Sequence, residues 1–136
     1  MASFSIRSQQ NLSEAHKDLQ TVFNYVIKHF DCTVLDGHRT KEEQEEAFRK
    51  GFSKVNWPNS KHNKIPSLAV DVVPYPIEWD NLDRMKFFIG YVLGVATMLK
   101  QYGKIENDIV SGIDWNSDTS LKDTTFFDHP HFEIKQ

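Results

Sequence analysis

The chain has 136 residues, of which 39% are hydrophobic, 12% aromatic and 26% charged, enough to close one core and too few for two domains. Sixteen Lys and Arg against nineteen Asp and Glu give a net charge of -3 with no dense basic cluster, which argues against a nucleic-acid partner. The single cysteine, Cys32, has no internal disulfide partner and is expected to pack as a small hydrophobe in a protein made in a reducing compartment.

Leu12, Leu19, Val22, Phe23, Val26, Ile27 and Phe30 recur at three-and-four spacing behind Ser13, which predicts one helix of about four turns capped by that serine. Cys32 to Asp36 is β-branched and runs into Gly37, which predicts a strand. Thr40 and Glu43 have capping-box spacing and Gly51 can close a helix in a left-handed turn, so a polar helix is expected over about 41–50. Phe52 to Ser67 has turn chemistry and no apolar period, and loops of that length usually serve a site. Leu68 to Val73 reads as a buried strand ended by Pro74 and Pro76.

Asp80 and Asp83 then start a long helix, about 81–102, apolar nearly all round and closed by Lys100 and Gly103. Gly90 and Gly94, one turn apart on it, are expected to let a neighbour approach closely. Two short strands, Ile109 to Ile113 and His131 to Lys135, flank a polar loop. The whole is an α+β domain over 1–136, with a small antiparallel sheet and flanking helices. Met1 to Asn11 has neither the charged start nor the apolar centre of a signal peptide. Phe87 to Leu99, the longest uncharged stretch, falls short of the roughly 20 apolar residues a bilayer needs. A soluble, monomeric protein of the cytoplasm with no membrane partner is expected.

Three places hold polar residues that local structure does not require. Asp71 interrupts an apolar strand, where a carboxylate is costly to bury unless it is paired or bound to a cation. His62 lies nine residues upstream, and Asp128-His129-Pro130-His131 puts two histidines and a carboxylate ahead of the last strand. His62, Asp71 and either His129 or His131 make a two-histidine, one-carboxylate set of the kind that binds zinc and leaves a position for water, with Asp128 left over as a base. The spacing is neither HExxH nor CxxC, and a metal-free binding protein stays open on this evidence alone. Asp114-Trp115-Asn116-Ser117-Asp118 has the alternating oxygens of a calcium loop. Thr119 and Thr125 at its sixth and twelfth places exclude an EF-hand and favour a turn with Asx bonding.

Gly37-His38-Arg39-Thr40, Ser60-Lys61-His62 with Ala69-Val70-Asp71, Gly112-Ile113-Asp114-Trp115-Asn116, and Asp128 with His131-Phe132-Glu133, in that order, resemble the D-alanyl-D-alanine carboxypeptidase and L-alanyl-D-glutamate endopeptidase family of zinc peptidoglycan hydrolases. The likeness runs from about residue 10 to the end and is nearest to single-domain bacteriophage endolysins. It implies a Hedgehog/D-Ala-D-Ala peptidase-like fold, Zn2+ held by His62, Asp71 and His131, and Asp128 as the catalytic carboxylate. Arg39 would hold or polarise the substrate, and Ser60, Trp115 and His129 would line the cleft.

The implied substrate is the stem peptide of peptidoglycan, cut by zinc-activated water with Asp128 as general base. An aspartate in that role is similar to the endopeptidase branch and tilts the expected bond to L-alanyl-D-glutamate. A D-alanyl-D-alanine carboxypeptidase or dipeptidase is the alternative, and a non-catalytic wall-binding module a more distant one. The implied setting is the host cytoplasm, with action on the wall after release.

Overall fold

The computed structural model describes residues 2–136. In chain order it forms α1 (Ile6–Ser13), α2 (Lys17–Val26), β1 (Cys32–Asp36), α3 (Lys41–Arg49), a 3-10 turn (Lys61–Asn63), β2 (Ala69–Pro74), α4 (Leu82–Gln101), β3 (Ile109–Ser111) and β4 (His131–Ile134). The four strands make one antiparallel sheet in the order β1-β2-β4-β3, so the α+β expectation holds.

The predicted first helix is in fact two. Ser5 caps α1 by accepting from Ser8 N, and His16 caps α2 through Nδ1, which accepts from Asp18 N. Ser13 is the last residue of α1 and its hydroxyl donates back to Gln10 O. The break at Ala15 is made by a distant segment: Ser67 N donates to Glu14 O and His16 N donates to Ser67 O, at 2.9 and 2.8 Å. The apolar period runs on across the break because both helices pack on the same core.

α3 has the expected reciprocal cap, with Thr40 Oγ1 accepting from Glu43 N and Glu43 accepting from Thr40 N, and Gly51 follows at φ +79°. α4 is capped by Asn81 rather than Asp80. It is also one-sided rather than apolar all round: Met85, Phe88, Ile89, Val92, Val95, Ala96 and Leu99 are buried while Phe87 is 72% exposed. Gly90 and Gly94 lie on its solvent side with nothing near where a side chain would stand, so they admit no close neighbour. β3 and β4 each stop short of the predicted ends, at Ser111 and Ile134.

Strand alternation divides the sheet into two faces. Val34, Val70, Val72, Phe132 and Ile134 pack with α2 and α4, and the Phe132 ring sits edge-on to Phe23 and Phe88 at 5.3 and 6.3 Å. Cys32 joins this core, and burial pushes its thiol up to about 12. The other face carries Asp71, His131 and Glu133. Gly112 locks the two ends of the long polar loop together: its N–H donates to His131 O, and Asp128 N donates to Gly112 O, both at 2.8 Å.

A methyl group on Gly112 would collide with the Asp128 carbonyl and Cβ. Gly112→Ala is therefore expected to cost about 1–3 kcal/mol in denaturant unfolding, the usual range for overpacking. Gly94→Ala is expected to stabilise by up to about 1 kcal/mol, as glycine in an exposed helix interior does when replaced.

Candidate metal centre and cleft

The register of the sheet assembles the site. Asp36 pairs with Asp71, and Asp71 pairs with His131, so three polar residues from three strands stand in one row. An irregularity between Val34 and Asp36 puts Leu35 out of step and brings Asp36, one residue late, opposite Asp71. Bulges re-aim side chains in this way, and they are frequent beside active sites.

His62 arrives from the 3-10 turn. Ser60 caps that turn, its hydroxyl accepting from His62 N at 3.1 Å, and Arg39 N donates to His62 O at 2.8 Å. The ring is 1% exposed and its Nδ1–H donates to Gly37 O at 2.7 Å, a partner that can only accept. Nε2 is left as a lone pair 3.3 Å from Asp71 Oδ1. His131 is held the opposite way round: its Nε2 bonds Glu133 Oε1 at 2.8 Å, and Nδ1 faces Asp71 Oδ1 at 3.5 Å. Lys61 fixes Glu133 through its other oxygen at 2.6 Å.

His62, Asp71 and His131 thus each turn one ligand-competent atom to a common point, all within 4.8 Å of one another. His62 Nε2 and Asp71 Oδ1 are buried with no hydrogen-bond partner. Electron pairs facing each other across a dry gap are unfavourable without positive charge between them, so this donor set fits a cation. Protons compete with a cation for the same place. Burial opposes ionisation of Asp71, yet the histidine charges and hydrogen bonds hold it well below the usual carboxylate range. Burial likewise opposes charge on His131, and its bonds to Asp71 and Glu133 outweigh that and raise it to about 9.

Arg39 completes the surroundings of Asp71. Nη2 donates to Asp71 Oδ2 at 2.9 Å, Nε donates to Asp36 Oδ2 at 2.6 Å, and Nη1 reaches Gln44 Oε1 at 3.3 Å. Its reach goes first to two carboxylates rather than to open cleft. Asp128 stands at the rim with Oδ2 3.9 Å from His131 Nδ1, and burial together with the Asp71 charge raises its pKa. Trp115 stacks on Phe126 and tilts against His131 at 5.3 Å. His129 lies on the other side of Asp128, stacked on Phe127 at 5.8 Å and outside the His62–Asp71–His131 cluster.

Asp36, Gln44, Lys61 and Glu133 were given no role from the sequence. Glu133 was open to inference, since two residues along a strand returns to the same face. Asp36 was not, because the bulge that delivers it leaves no mark in composition. The Asp114 carboxylate accepts from Asp118 N and Thr119 N, and Asp118 accepts from Ser120 N, which is the Asx-bonded turn expected there.

A family model described as phage L-alanyl-D-glutamate peptidase matches residues 1–135. Among solved structures, the Serratia marcescens L-Ala D-Glu endopeptidase ChiX superposes with a TM-score of 0.62 at 23% identity, over 98% of this chain and 90% of that one, and so shares the fold. No curated protein sequence matches significantly. The chain belongs to the phage L-alanyl-D-glutamate peptidase family and is a peptidoglycan peptidase.

Proposed function

We propose that the chain is a zinc-dependent endopeptidase that hydrolyses the L-alanyl-D-glutamate amide of the peptidoglycan stem peptide, with residues 1–136 acting as one catalytic domain. The observation that carries the metal assignment is the convergence of His62 Nε2, Asp71 Oδ1 and His131 Nδ1, two of them buried without a partner. Two neutral imidazoles and one carboxylate suit zinc and leave a fourth position open. Zinc bound there would act as a Lewis acid on the scissile carbonyl and acidify the attacking water.

The remaining chemistry belongs to the side chains. Asp128 accepts the water's proton on its carboxylate and returns it to the departing amine nitrogen. Arg39 orients Asp71 and adds positive charge beside the developing oxyanion. Glu133, steadied by Lys61, holds His131 in the tautomer that frees Nδ1. Family membership supports the choice of bond, and the aspartate in the base position is in keeping with it. Membership of a phage peptidase family supports a protein that gathers in the host cytoplasm and meets the wall after release.

Protein purified without added metal is expected to carry about one zinc per chain by elemental analysis, and His62→Ala to lose metal and turnover together. Glu133→Gln should weaken zinc affinity by about ten- to a hundredfold, the usual effect of removing a histidine's carboxylate partner. A chain that takes up no zinc even on reconstitution would refute the metal assignment.

Asp128→Asn keeps the shape and cannot take a proton. Its kcat is expected to fall by roughly a hundred- to ten-thousandfold with zinc content unchanged. Loss of zinc in this variant would make Asp128 a ligand instead. The bond itself is read by mass spectrometry of a sacculus digest, which should show cuts after L-alanine, no new reducing sugar ends, and no reaction with a chelator present. Free D-alanine as the product would favour the carboxypeptidase alternative.

A further inference from the structure

The cleft has two unlike arms that share Arg39, Phe52 and Asp128. One, of about 280 Å³, is bordered by Lys54, Lys61 and Trp115. Lys61 is already paired with Glu133, whereas the Lys54 ammonium lies over the Phe126 ring at 5.2 Å and has no carboxylate partner among the described residues. The other arm, of about 610 Å³, is walled by Phe52, Trp79, Leu82, Phe127 and His129.

Four of those walls are large apolar side chains left in water: Phe52 is 71%, Trp79 56%, Leu82 44% and Phe127 40% exposed. Core packing does not account for such side chains gathered round one concavity, and a ligand surface does. Trp79 is held in a fixed frame. Arg84 donates to Tyr75 O and Pro76 O at 2.8 Å, Asn81 N donates to Glu78 O, and α4 begins directly after. His129 adds a buried Nε2 with no hydrogen-bond partner.

We propose that the aromatic arm is a sugar subsite that receives the N-acetylmuramoyl end of the substrate, with the stem peptide crossing the His62–Asp71–His131 cluster and its acidic residues directed to Lys54. This rests on the L-alanyl-D-glutamate reading, which leaves only L-alanine and a lactyl link between the scissile amide and the sugar ring. Two such units extend roughly 7 Å, so the ring must lie in whichever arm adjoins the reacting bond on that side. A pyranose presents an apolar C–H face and a rim of hydroxyl and acetamido groups. Trp79 and Phe127 offer flat apolar surface for the first, and His129 and Arg39 border the same arm beside the second. The glutamate carboxylate lies on the far side of the bond, where Lys54 supplies the unpaired charge. The opposite orientation would set carboxylates against Leu82 and Phe127 and leave the Lys54 ammonium without a carboxylate partner.

The test compares two substrates on the zinc-loaded chain: a disaccharide stem peptide, and the same peptide bearing only the lactyl group. The wild type is expected to favour the sugar-bearing substrate, and Trp79→Ala to reduce that preference by about three- to tenfold, chiefly through KM, as loss of one aromatic contact predicts. Lys54→Ala should raise KM for both substrates alike. Equal rates on the two substrates in the wild type, or an equal loss on both in Trp79→Ala, overturns the proposal.

A second readout needs no turnover: the free disaccharide should quench indole fluorescence in the wild type and fail to do so in Trp79→Ala. A cut at another bond appears in the product masses and refutes the reading of function, while the quench reports on the sugar subsite separately. An unchanged quench in the variant overturns the subsite.

Discussion

A carboxylate placed in a strand of valines has to be given positive charge, and much of this molecule is arranged around that demand at Asp71. Oδ2 takes the Arg39 guanidinium at 2.9 Å, while Oδ1 faces ring nitrogens of two histidines at 3.3 and 3.5 Å. The two oxygens are therefore not equivalent: Oδ2 is satisfied by the protein, and Oδ1 is buried with no hydrogen-bond partner. A buried carboxylate in this position resists protonation and presents a fixed negative charge to whatever occupies the cluster. Every group that meets it comes from a different segment, so the fold itself brings the site together.

The sheet separates stability from chemistry. Phe132, between His131 and Glu133, turns inward to Phe23 and Phe88, while its neighbours on the strand turn outward to the cleft. β4 thus anchors the core and carries a histidine with its orienting carboxylate in four residues. The same economy holds at the 3-10 turn, where Ser60 caps the backbone, His62 points into the cluster and Lys61 reaches Glu133.

Much of this architecture was legible from local pattern. The α3 cap, the left-handed Gly51, the valine strand and the existence of a long fourth helix each rest on a short-range rule, and each is present. The metal-competent trio was legible because polar residues stood where no structure asked for them, and the resemblance chose His131 over His129. What escaped were effects carried by distant backbone. Nothing between Leu12 and Leu19 announces that Ser67 will split one helix into two, and nothing in Cys32 to Asp36 announces a bulge. Gly90 and Gly94 misled for a related reason: their spacing suggests contact, but the helix turns that side to water.

The backbone bonds between Gly112, Asp128 and His131 form the neck of a loop that leaves β3 and returns to β4. These bonds set the position of Asp128 directly, so its carboxylate stays registered to the histidine three residues on whatever the contour of the segment in between. Trp115 and Phe126, stacked near the two ends of that segment, travel with it. A change at Gly112 would therefore shift the Asp128 carboxylate and the loop together, whereas a change between Ser117 and Asp123 leaves both ends of the loop pinned to the sheet.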